Sequence, residues 1–149
     1  MPLWRIFAHP DTFSKEQRLG LAKAVTDLYV SIGLPAFYVN VIFVHVGADQ
    51  VFIGGESKKN FVRIAIEQIA RTMPDPDSEK GKAHRRAWMD KINEALTPFI
   101  IDRPELEWEH HIFETPRDLW RVQGIDPPPA HSDAEKVWIE TNKPLRYNL

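Results

Sequence analysis

The chain has 149 residues, 43% hydrophobic and 27% charged, with a net charge of −2 and no cysteine. This is the size and composition of a single globular domain over residues 1–149, too apolar to be disordered, and it excludes disulfides, thiolate nucleophiles and cysteine-based metal sites. Lys and Arg are scattered rather than gathered into a stripe, so there is no electrostatic case for nucleic acid. No apolar run approaches the ~18–20 residues of a membrane span, and the N-terminal PLWRIFAHPD, broken by Arg5, His9 and Asp11, lacks a signal-like core. The expectation is a cytoplasmic protein with no membrane partner.

Residues 2–8 alternate Leu3, Arg5 and Phe7 with Trp4, Ile6 and Ala8, which predicts a strand with cover on both faces. His9-Pro10-Asp11 ends it. Ser14-Lys15-Glu16-Gln17 has the form of a capping box, and Ala22, Val25, Tyr29 and Ile32 then recur at helical spacing until Gly33-Leu34-Pro35. Residues 38–46 are β-branched and aromatic, a second strand. Residues 51–55 read as a short extended piece closed by Gly54-Gly55.

The second half repeats that order. Residues 61–66 alternate as a strand, although Phe61, Ala65 and Ile69 would also fit a helical face. Asp75-Pro76 suggests a helix start, and Trp88, Ile92, Leu96 and Phe99 form one stripe up to Thr97-Pro98. Residues 106–113 place Leu106, Trp108, His110 and Ile112 on one face and Glu107, Glu109, His111 and Phe113 on the other. Pro127-Pro128-Pro129 leads into a short helix at about residues 133–141. The pattern predicts an α+β fold of two βαβ units, about 2–46 and 61–113, with a helical tail over 115–149. Four strands would carry two helices on one face. The other face keeps large apolar groups, which oligomerisation would cover.

Pro2 follows the initiator Met1, which is normally trimmed before a residue as small as proline. Trimming would leave a secondary amine, ionisable and tunable towards neutral pH by burial and nearby charge. Leu3, Phe37 and Phe52 are the apolar residues expected to wall it. Other features are bland. His110 and His111 point to opposite faces of a strand and cannot share an ion, so no metal site is expected. Gly54-Gly55 lacks the lysine and helix start of a phosphate loop. The five tryptophans suit packing better than base stacking. Glu105, Glu107 and Glu109 read as a solvated strand face.

The duplicated βαβ unit starting at Met-Pro resembles the tautomerase superfamily. LAKAVTDLY at 21–29, VFIGGESKKNFVRI at 51–64, IARTMPD at 69–75, IFETPRDLWRVQG at 112–124 and WIETN at 138–142 narrow the resemblance. They point to the branch around cis-3-chloroacrylic acid dehalogenase and fungal oxalocrotonate-tautomerase-like proteins. The resemblance implies a homotrimer and no metal or organic cofactor. It also implies a small carboxylate substrate, tautomerised as a 2-oxo acid or hydrated as an unsaturated or halogenated one. Pro2 stands at the family's catalytic proline, and Arg71 matches a carboxylate-binding arginine. Glu67 or Gln68 occupies the place of a second arginine, for which Arg63 is a substitute. Tyr29 replaces a histidine of the first helix, and His111 a tyrosine of the last strand. A water-activating glutamate falls on Val122 or Gln123, which argues against dehalogenation. Glu114, and less strongly Asp118, could supply the missing acid or base.

The leading expectation is thus a tautomerase with Pro2 as general acid or base, Arg71 as anchor, and Tyr29, His111 or Glu114 assisting. The alternatives are a non-catalytic trimeric scaffold that keeps Met1, and a cofactor-independent hydratase or dehalogenase.

Overall fold

The computed structural model describes residues 1–147. Strand β1 (Leu3–Ala8) runs parallel to β2 (Asn40–His45), joined by helix α1 (Lys15–Ser31). A hairpin of β3 (Phe52–Ile53) and β4 (Glu56–Ser57) turns at Gly54 and Gly55, whose φ values of 61° and 86° are left-handed, as a two-residue hairpin loop requires. Strand β5 (Phe61–Gln68) then runs parallel to β6 (Glu107–Glu114), joined by α2 (Glu79–Leu96). The two βαβ units meet through β1 and β5, which are antiparallel, giving the order β2-β1-β5-β6. The duplicated α+β architecture is therefore as the alternation predicts.

One sheet face is sealed. Trp4, Ile6, Val62, Ile64 and Ile66 are fully buried, together with Leu21 and Val25 of α1 and Ile92 and Leu96 of α2. The opposite face is open: Ile42 and Phe113 are 49% and 58% exposed, and the ion pairs Arg5–Glu67 and Arg63–Glu109 lie across it. Leu3, Arg5 and Phe7 accordingly are only partly covered, while Trp4, Ile6 and Ala8 are buried.

Several boundaries differ from expectation. Helix α2 starts at Glu79, not at Asp75-Pro76, because Ser78 is the N-cap, accepting a hydrogen bond from the Gly81 amide at 3.0 Å. The Asp75 carbonyl packs against this first turn, where a Cβ on Gly81 would collide with it. Only glycine lets the 69–75 segment lie that close. At the other end of α2, Pro98 offers no N–H for helical bonding, and the chain widens into a π turn over Thr97–Ile101 that buries Ile100. Finally, Tyr38 sits in a 3-10 turn before β2 with its ring buried, and β5 runs two residues beyond Ile66.

The tail returns across the start of β1. In α3 (Asp133–Thr141), Trp138 is 1% exposed and packs edge-on to Tyr38, which also meets Trp120.

Candidate active site

Leu3 pairs with Glu67 in the antiparallel register, so the start of β1 lies beside the end of β5. There Pro2 and the 68–74 segment border a cavity of about 390 Å³. The walls are mostly apolar: Ile32 and Leu34 from the end of α1, Ile69, Met73 and Pro74 after β5, and Ala87 and Trp88 on α2. Leu3, Phe37 and Phe52, expected as the wall, are not among these residues. Phe37 packs on Trp138, and Phe52 is 60% exposed on the hairpin.

Tyr29, the last buried residue of α1, lines this cavity. Its hydroxyl oxygen accepts hydrogen bonds from Trp4 Nε1 and Gln68 Nε2, both at 3.1 Å. With its acceptor capacity used, the hydroxyl is left with a proton to donate. Burial raises the Tyr29 pKa above its ordinary value of 10, outweighing the two hydrogen bonds, so the group is a donor at neutral pH, not a base.

Pro2 is buried, and Met1 beside it is half-buried. Burial, and then the positive charge of Arg117, push the Met1 amine down from 8.0 to about 4. The Met1 amine is therefore held neutral at ordinary pH. Arg117 is itself fixed, donating to the carbonyls of Ala70 at 2.9 Å, Pro127 at 3.3 Å and Pro128.

Arg71 also borders the cavity, but its fork is occupied. Nη1 and Nη2 each donate at 2.9 Å to the two carboxylate oxygens of Glu135, a residue of α3 that is 1% exposed. The Gly33 carbonyl takes a further bond from Nη2 at 3.2 Å, and the His131 amide donates to Glu135 at 2.7 Å. This is an internal bidentate pair of the geometry that an arginine offers to a carboxylate ligand.

The remaining expected residues lie elsewhere. His111 and Arg63 are on the open sheet face, His111 edge-on to Phe113 and Arg63 paired with Glu109. Glu114 accepts from the Met73 amide at 2.7 Å and from Arg85 at 3.4 Å, tying down the segment after Arg71 from outside the cavity. Val122 and Gln123 form a tight turn with Ile125. The structure thus brings together Pro2, Tyr29 and Arg71, with Gln68 between strand and hydroxyl. His84 and Lys91 of α2 and His131 of the tail also reach the cavity and were missed. Their signal was available: 84, 88 and 91 share the helical spacing that identified the Trp88 stripe. No aspartate or glutamate is among the lining residues, and with Arg71 paired to Glu135, Lys91 is the lining cation that pairs with no carboxylate among the described residues.

The family model described as "Putative oxalocrotonate tautomerase enzyme" matches residues 1–143, and the chain belongs to that family, within the tautomerase superfamily. Native RhCC from Rhodococcus jostii RHA1 is 40% identical, with a TM-score of 0.87 over 97% of this chain and 99% of that one. A probable enzyme from the thermophilic fungus Aspergillus fumigatus is 42% identical, with a TM-score of 0.87 over 99% and 98%. N1, a member of the cis-3-chloroacrylic acid dehalogenase family, shares the fold at 21% identity, with a TM-score of 0.63 over 93% and 91%. No curated protein matches. Among the described residues, no helix is long and apolar enough to cross a membrane.

Proposed function

We propose that the protein is a tautomerase that uses Pro2, freed by removal of Met1, as general base and acid on a small 2-oxo or unsaturated carboxylic acid. The observation that carries this reading is the meeting of Pro2 and Tyr29 at one largely apolar cavity. The burial and the Arg117 charge that hold the Met1 amine neutral would act on a proline nitrogen in the same direction. A neutral Pro2 takes a proton from the carbon next to the substrate carbonyl. Negative charge then grows on the carbonyl oxygen, where the Tyr29 proton would stabilise it against the apolar wall. The prolinium returns its proton to oxygen, which completes the enol; ketonisation follows the same steps in reverse. Arg63, His111 and Glu114 have no part in this reading, because each is committed elsewhere within the chain.

The open sheet face, with Ile42 and Phe113 exposed, is the surface proposed to be covered in a homotrimer. Light scattering tests this, and a monomer would refute it. For the chemistry, mass spectrometry of the intact protein should show Met1 gone, and phenylpyruvate tautomerisation should fall at least ~100-fold in Pro2→Ala. Activity unaffected by that substitution would sink the mechanism. Retention of Met1 would leave an amide at Pro2 and favour a scaffold without catalysis.

A further inference from the structure

Arg71 and Glu135 neutralise each other. Glu135 is almost fully buried and each of its oxygens already takes an Arg71 nitrogen, so an incoming carboxylate would have to displace it. Breaking a buried pair leaves an uncompensated charge, a strongly unfavourable exchange. Glu135 is also held by the His131 amide, on a helix that Trp138 anchors in the core. The arginine fork is therefore closed to the substrate.

Three other side chains with cationic capacity line the cavity: His84, Lys91 and His131. His84 and Lys91 lie seven residues apart on α2, with Ala87 and Trp88 between them on the same stripe, so all four present one face to the cavity. Lys82 pairs with Glu79 and Arg85 with Glu114, and of the lysines and arginines of this helix that pair with no carboxylate among the described residues, Lys80, Arg86 and Lys91, only Lys91 lines the cavity. A lysine is a point charge on a flexible stem, able to lay its methylenes along the Trp88 wall and carry its ammonium to the mouth.

We infer that Lys91, supported by His84, is the anchor for the substrate carboxylate, and that Arg71 is not. The inference rests on the proposed small-carboxylate chemistry and assigns its binding group. Seated on α2, the carboxylate would lie across the cavity from the β1–β5 end, where Pro2 and Gln68 stand. The apolar bowl would then hold the carbon skeleton between anchor and base.

The test compares phenylpyruvate with its methyl ester, which lacks the charge. NMR titration should show wild-type protein binding the acid about tenfold more tightly than the ester, the scale of one charged hydrogen bond. Lys91→Met should abolish most of that preference while leaving ester binding within about twofold, and Lys91→Arg should restore it. In turnover, Lys91→Met should raise KM for the acid about tenfold with kcat within about threefold, the signature of lost uniform binding. Lys91 is exposed, and circular dichroism should find each variant folded. An acid preference that survives Lys91→Met, or wild-type protein that binds the acid no better than the ester, overturns the assignment. Preferential acid binding without turnover would instead overturn the catalytic reading and leave the anchor standing.

Discussion

The two ends of the central β1–β5 pair are built alike and end differently. Where β1 begins and β5 ends, Pro2 and Gln68 border an open cavity. Where β1 ends and β5 begins, duplication sets out a similar recess, but side chains fill it. Phe13 is 3% exposed and stands edge-on to Phe43 at 5.8 Å. The Arg103 guanidinium lies over the Phe13 ring at 5.6 Å and donates to the Thr12 carbonyl at 2.7 Å. The small recess bordered by Ile6, Ala8, Phe13 and Phe43 has no room for a water molecule. A repeated backbone thus makes a site only where the chain withholds bulk, and here it withholds it beside the terminal proline.

The sharpest way to break this contrast is to unlock the open end. Glu135→Gln removes the counterion of Arg71 and should destabilise the fold by about 3 kcal/mol, read from urea unfolding, while the filled end is untouched. Emptying the filled end should cost about as much or slightly less: Phe13→Ala creates a cavity and strands Arg103, for a loss of about 3 kcal/mol. If that variant matched wild type in stability, the filled end would not be holding the fold. Tyr29→Phe leaves Trp4 Nε1 and Gln68 Nε2 without an acceptor and should cost about 1.5 kcal/mol, with kcat reduced about tenfold under the proposed mechanism.

The smallest effect is a pH dependence from neither end. His110 on β6 has its pKa lowered, first by burial and then by His111, and its Nε2 is buried without a partner among the described residues. Below the ordinary histidine value of 6.5 the unfolded chain takes up a proton that the folded one resists. Stability should therefore fall as pH drops from about 6.5 towards the lower folded-state value. Urea midpoints taken from neutral to mildly acidic pH measure the slope, which His110→Gln should flatten.

Much of this was legible in the chain. Strand alternation at 2–8 and 106–113 reads cleanly because one sheet face is sealed by helices and the other is not. Tyr29 and Pro2 reach the site by local patterns, a helical stripe and a position at the start of a strand. What could not be read is set by contacts distant in sequence. Arg71 meets Glu135 across 64 residues, and nothing in either neighbourhood announces a buried bidentate pair. Strand parity already placed His111 with Glu109 and Phe113, so its distance from the helix-side cavity followed from periodicity alone. Asp75-Pro76 misled because Ser78 competes as a cap and Gly81 makes the tight approach possible.

Trp88 gives the protein an optical consequence. Of the tryptophans, it alone is among the residues that line the cavity, with its ring 5.4 Å from that of Tyr29. A ligand settling there changes the polarity around one indole and leaves the other four in place. The difference in intrinsic emission between wild type and Trp88→Phe then isolates occupancy, so the protein carries its own fluorescent gauge, and unlabelled compounds can be ranked before any substrate is known.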